Sequence, residues 1–132
     1  EEINDGQAGA NYGWPGTEGP TTNPAFVSPR HAYGRADGCA ITGGAFYAPT
    51  TAVFPAEFLN DYFFADFCFG WIRRLDPANG NTVVGFATGL SAPVDLKVYP
   101  DGSFYSLQRG NGGQLFRVTY TGAPPSAPTG LT

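Results

Sequence analysis

Asp61 to Thr88 reads DYFFADFCFGWIRRLDPANGNTVVGFAT, and the punctuation inside this stretch decides the fold class. Asp61 to Asp66 and Gly70 to Leu75 are short runs rich in aromatic and branched side chains, separated only by Phe67-Cys68-Phe69. Both read as strands joined by a tight turn. Asp76-Pro77-Ala78-Asn79-Gly80 then breaks the chain again. Proline presets one backbone angle, aspartate and asparagine bond their own backbone, and glycine tolerates the left-handed region. Thr82 to Thr88 returns as a further strand. Upstream, Ala40 to Tyr47 (AITGGAFY) supplies another, with Gly43-Gly44 marking a bulge or a close backbone approach. The expectation is one antiparallel four-stranded meander in about fifty residues.

Working outward, a second unit begins at Val94. Val94 to Tyr99 alternates, Pro100-Asp101-Gly102 turns, Ser103 to Gln108 returns, Gly110 to Gly113 turns, and Gln114 to Tyr120 closes. Nothing predicts a long helix; Val53 to Leu59 has room for one turn. Repeated meanders at this spacing are the signature of β-propeller blades. The predicted class is therefore all-β, built of antiparallel four-stranded blades, as a partial, C-terminal segment of a propeller. The last blade has three strands, as expected where the missing one is lent by the N-terminus. The expected organisation is a long ordered loop region over 1–38, a complete blade over 39–90, the last blade over 91–122, and a Pro-rich linker over 123–132 leading to a following module. Tyr12 and Trp14 are expected to pin the loop region to a core.

Composition narrows the partners. Glycine (19) and proline (12) approach a quarter of the chain, which disfavours a helical protein, while 42% hydrophobic residues are enough to form a core. The net charge is −4 and Lys97 is the only lysine, so no basic patch exists for nucleic acid or an anionic membrane surface. No apolar run approaches the roughly 20 residues that cross a bilayer, so membrane insertion is not expected. The chain has no methionine and no signal-peptide pattern, and is expected to be a processed or excised piece of something longer. Cys39 and Cys68 each flank a predicted strand, and a disulfide between them is the favoured reading, with two buried thiols as the alternative. Pairing would point to a secreted or periplasmic location.

Glu1-Glu2-Ile3-Asn4, Asn11-Tyr12-Gly13-Trp14-Pro15, Ile41 to Tyr47, Tyr62 to Asp66 with Cys68, Gly70 to Leu75, and Val94-Asp95-Leu96-Lys97 before Pro100-Asp101-Gly102 occur in an order that resembles the glucose/sorbosone dehydrogenase family. The resemblance runs from the first residue to about Gly122. It implies a six-bladed propeller that binds pyrroloquinoline quinone (PQQ) and calcium and oxidises aldoses at C1. The cofactor carries that chemistry and the protein orients it. It also implies a calcium ion held by the Glu2 carboxylate and the Tyr12 carbonyl oxygen, with further oxygens supplied by water or other segments. The family's catalytic histidine lies upstream of this chain, so no catalytic residue is assigned. His31 occupies a different place and is read as a surface or loop-packing residue. Two arginines expected before Asp95, suited to the carboxylates of the quinone, are replaced by Ala92 and Val94. The functional expectation is the closing segment of a PQQ- and calcium-dependent sugar dehydrogenase-like propeller, inactive as an isolated piece. The alternative is a non-catalytic extracellular propeller that binds carbohydrate or protein. The open edge of the last blade is expected to meet the remainder of the parent or a second copy.

Other constellations are weaker. Asp61, Asp66 and Asp76 lack the context of a glycosidase pair, and Asp61 and Asp76 sit in turn settings that favour aspartate locally. The only histidine has no Gly-x-Ser-x-Gly partner for a hydrolase. The aromatics Tyr62, Phe63, Phe64, Phe67, Phe69 and Trp71 read as packing between blades in preference to a sugar platform.

Overall fold

A computed structural model of the chain describes residues 1–122; the predicted linker 123–132 lies outside the described residues. The strands are β1 (Glu2–Ile3), β2 (His31–Ala32), β3 (Ile41–Phe46), β4 (Tyr62–Asp66), β5 (Trp71–Asp76), β6 (Thr82–Ala87), β7 (Pro93–Val98), β8 (Phe104–Gln108) and β9 (Gln114–Val118). Short 3-10 turns at Ala56–Phe58 and Pro77–Asn79 are the helical content among the described residues. The architecture is all-β. Strands β3-β4-β5-β6 form one antiparallel meander and β7-β8-β9 another, each an open sheet.

The turn at Asp76 forms as its residues dictate. The Asp76 carboxylate accepts the N–H groups of Ala78 and Asn79 at 2.9 and 3.0 Å, and Gly80 takes φ 63°. The segment 1–38 carries more structure than its sequence announced. Strands β1 and β2 pair antiparallel, with Glu2 opposite Ala32 and Ile3 opposite His31. Trp14 does not pin this segment, being 75% exposed. Phe26 and Thr17 instead close over Gly13, whose φ of +93° and lack of a side chain admit them.

Alternation along β4 sets the layering. Phe63 and Ala65 point to one face of the sheet, Tyr62 and Phe64 to the other. On the first face Phe63 joins Tyr47, Phe54, Leu96 and Phe104 in a core shared with the second sheet. Phe63 and Phe104 have ring centroids 4.5 Å apart, and Tyr47 stacks on Phe104 at 5.2 Å. The Tyr47 hydroxyl is buried but satisfied: it accepts from Val53 and Phe54 N–H and donates to the Gly102 carbonyl. On the second face Tyr33, Phe64, Trp71 and Leu75 pack with Ile3 beneath the β1–β2 ribbon. Each such side chain contributes about 1.5–3 kcal/mol when taken from water.

Strands β3 and β7, the first of each sheet, lie against one another. The Thr42 hydroxyl donates to the Pro93 carbonyl at 2.7 Å. Gly43, at φ 61°, approaches so closely that a Cβ there would sit 2.6 Å from the Leu96 amide nitrogen. The β3–β4 register shifts between Thr42 and Gly44, so the glycine pair serves both as irregularity and as close approach.

Candidate functional site

The structure gives Glu2 and Tyr12 work inside the N-terminal segment. One Glu2 carboxylate oxygen accepts the Asn4 side-chain amide at 3.1 Å, and the other accepts the Gly19 N–H. The Tyr12 hydroxyl donates to the Asp5 carbonyl and accepts from the Gln7 N–H at 2.8 Å. Both side chains therefore hold the 1–19 loop to itself. Calcium takes about six to eight oxygens. One carboxylate already accepting two hydrogen bonds and one backbone carbonyl do not make such a site on their own.

A cleft of about 450 Å3 opens beside Glu2, between the ribbon and the sheet ends at Phe46 and Tyr62. Phe46 is 58% exposed there, and its ring lies 5.0 Å from that of Tyr62. Arg30 on the rim pairs with Asp5 at 2.5 Å and reaches the Asn81 side chain at 3.3 Å. Arg30 and Asp5 thus answer one another, while Glu2 is met by the neutral donors of Asn4 and Gly19.

Cys39 and Cys68 are joined by a disulfide with Cα atoms 5.7 Å apart. Between them sits Asp66, fully buried at the end of β4. One carboxylate oxygen accepts from the Tyr33 hydroxyl at 2.8 Å and from the N–H groups of Cys39 and Ala40 at 2.8 and 3.0 Å. The other accepts from Cys68 and Phe69 N–H at 2.9 Å each. Burial works to raise the Asp66 pKa, but these donors, led by Phe69 N–H and the Tyr33 hydroxyl, outweigh it and hold the carboxyl below its ordinary range. Burial, reinforced by Asp66, pushes the Tyr33 phenol upward in turn. Cys39, Asp66 and Cys68 place their donor atoms within 4.8 Å of one another, a metal-like spacing. The sulfurs are committed to each other and the carboxylate to five hydrogen bonds, so the cluster is a structural hub. Asp66 lacks the sequence context of a glycosidase acid, and its place two residues before Cys68, at the edge of the predicted turn, is the one sign in the sequence of this role.

Of the other acids, Asp76 is the turn residue its sequence indicates. Asp61 departs from that reading. It is 2% exposed and pairs with Arg74, because Asp61 immediately precedes β4 and Arg74 lies on the adjacent strand β5. Burial raises its pKa against the lowering effect of Arg74.

His31 lies on β2, its ring 5.8 Å from Phe64 and 6.1 Å from Tyr33. It packs, as expected, but its Nε2 is buried with no hydrogen-bond partner. Burial, then the nearby Arg73, lowers its pKa, while Asp37 acts the other way. Ala92 sits at φ 49° with its carbonyl accepting the Arg109 N–H at 2.9 Å, and Val94 is half-buried in β7. Neither offers a charge for the carboxylates of a quinone, so these two positions do not fit that cofactor. Phe63, Phe64 and Trp71 are core residues, whereas Phe69 is 53% exposed. No helix is long and apolar enough to cross a membrane among the described residues. Compared with known proteins, the chain matches no protein-family model and no curated sequence.

Proposed function

We propose that the chain is the closing segment of a secreted or periplasmic β-propeller resembling the sugar dehydrogenases, and that it contributes blades without contributing catalytic groups. The observation that carries this reading is the β3–β7 seam. Two successive meanders meet through their first strands and share one aromatic layer, as neighbouring blades do around a propeller axis. The Cys39–Cys68 disulfide supports an oxidising compartment. The remainder of the parent is the partner for the open edge of β9, and it supplies the oxygens that Glu2 and Tyr12 lack for calcium. The isolated chain is inactive in this reading.

Ala92 and Val94 favour a second reading, a propeller of the same build that has lost PQQ and binds carbohydrate or protein at its rim. Calorimetric titration of PQQ into the calcium-loaded, full-length parent separates the two. Tight stoichiometric binding, followed by dye reduction with an aldose, is the outcome expected of a dehydrogenase. Absence of binding rejects that activity and leaves the non-catalytic propeller.

A further inference from the structure

His31 is the chain's only histidine, and the fold places it where a second proton has no acceptor. It lies on β2 opposite Ile3, and its ring rests 5.8 Å from that of Phe64 and 6.1 Å from that of Tyr33, between the ribbon and the first sheet. Nε2 is buried without a hydrogen-bond partner among the described residues, whereas Nδ1 is not enclosed in that way. A neutral imidazole carries one N–H, so it keeps that proton at Nδ1 and turns the Nε2 lone pair inward. An imidazolium must donate from both nitrogens, and the second donor would point into this packing with nothing to receive it. The surrounding charges do not offset the loss. Arg73 on β5 stands over the Trp71 ring, 4.1 Å from its centroid, and repels a cationic His31; Asp37, 3.9 Å from Arg73, acts the other way. Asp66 at the end of β4 is committed to its five donors, one of them the Tyr33 hydroxyl. The Glu1 carboxylate accepts the Ile41 N–H, and that of Glu2 is taken by Asn4 and Gly19. The β6 residues beside His31, Val83, Gly85 and Ala87, carry no charge.

The ribbon also has little else to hold it. Each strand has two residues, flanked by backbone bonds from Arg30 N–H to the Ile3 carbonyl at 2.8 Å and from Tyr33 N–H to the Glu1 carbonyl at 3.0 Å. Elements with so few contacts open locally, well short of global unfolding. We propose that the β1–β2 ribbon is an acid-released latch: proton uptake by His31 lifts it from the first sheet while the two meanders stay folded. Once lifted, the Nε2–H group meets water and its cost disappears. The sign follows from the closed state, where burial, then Arg73, lowers the His31 pKa from 6.5. The latch therefore holds above pH 6.5 and weakens as pH falls below that, through the closed-state value. The aromatic core shared by the two sheets contains neither His31 nor Ile3, so release of the ribbon spares the β3–β7 seam. The inference is independent of PQQ and of the dehydrogenase reading.

Two NMR measurements on the full chain test the latch. The Cε1–H resonance of the single histidine should titrate with a midpoint below 6.5. Amide exchange, expressed as protection relative to the free peptide rate, should separate the ribbon from the sheets. Between about pH 7.5 and about pH 5.5 the Arg30 and Tyr33 amides should lose protection severalfold, and by no more than about tenfold, the limit that a free imidazole of pKa 6.5 sets over that range. Amides of β4 and β5 should keep theirs. His31→Phe retains a ring against Phe64 and removes the proton site, so its ribbon protection should be flat with pH. Arg73→Gln leaves Asp37 facing the imidazole without its counter-ion, and should raise the His31 midpoint and shrink the loss of protection. The proposal is overturned by a midpoint at or above 6.5, by ribbon protection that ignores pH in the wild type, or by an equal loss in His31→Phe. It is overturned too if β4 and β5 lose protection in step with the ribbon, or if Arg73→Gln lowers the midpoint.

Discussion

Asp66 is the residue on which most depends. Its five hydrogen bonds tie together the end of β4, the Phe67–Phe69 turn, the disulfide and Tyr33 from the N-terminal segment. Asp66→Ala leaves those donors buried and unpaired, and should lower the unfolding free energy by about 3 kcal/mol or more in urea titrations. The two buried carboxyls also give opposite pH signatures. The depressed pKa of Asp66 means its stabilisation is present above the unfolded carboxylate range, about 4, and is lost as pH falls through the folded value. Asp61, with a raised pKa, contributes most below that range and loses its contribution as pH rises through the folded value. The stability difference between wild type and Asp66→Ala should therefore grow with rising pH, and that between wild type and Asp61→Asn should shrink. Parallel curves for either variant would show that its carboxyl titrates alike in both states. The cysteine pair was legible because two thiols flanking strands have few alternatives. The role of Asp66 was not, since the donors that define it are brought from positions up to 33 residues away.

At the scale of elements, strands were legible wherever turn chemistry bounded them. Asp76 to Gly80 and Pro100-Asp101-Gly102 place the ends of β5, β6, β7 and β8 to within a residue or two. The β1–β2 ribbon escaped because strands of two residues have no period to read, and they pair across a long connection. The disulfide is the element-level staple, closing a separation of 29 residues. Replacing both cysteines by serine should cost about 3–4 kcal/mol by loss of this constraint on the unfolded chain, measured by chemical denaturation. The β3–β7 seam offers a sharper test of how the two sheets are joined. Gly43→Ala combines a positive φ with a Cβ pressed against the Leu96 backbone, and should cost about 2–4 kcal/mol. Gly85→Ala, facing open space in β6, should change stability by less than about 1 kcal/mol. Equal costs at the two glycines would mean that the seam is not tight.

For the whole molecule, the question is what covers the far side of the second sheet. Along β8, Phe104, Ser106 and Gln108 are buried, so alternation turns Leu107 outward. It lies opposite Leu115 on β9, and the two are 45% and 65% exposed. Tyr99 and Tyr105 add a ring pair 4.9 Å apart beside them. The hydrogen-bonding edge of β9 has no neighbour among the described residues. The three-strand count was readable in the sequence, but the exposure of this face was not, because alternation alone cannot say whether a sheet's second face meets water or protein. An apolar face next to an unpaired edge associates with whatever is available. In the proposed parent that would be the next blade; in a solution of the chain alone, a second copy is expected to take its place. The 132-residue chain should therefore self-associate with rising concentration in sedimentation velocity runs. Leu107→Lys together with Leu115→Lys should shift it towards monomer without lowering its melting temperature, since neither side chain belongs to either core cluster. A wild-type chain that stays monomeric and melts in one sharp transition would count against the segment reading: the second sheet would then be complete with three strands, and the propeller would have to be given up in favour of a self-sufficient two-sheet domain.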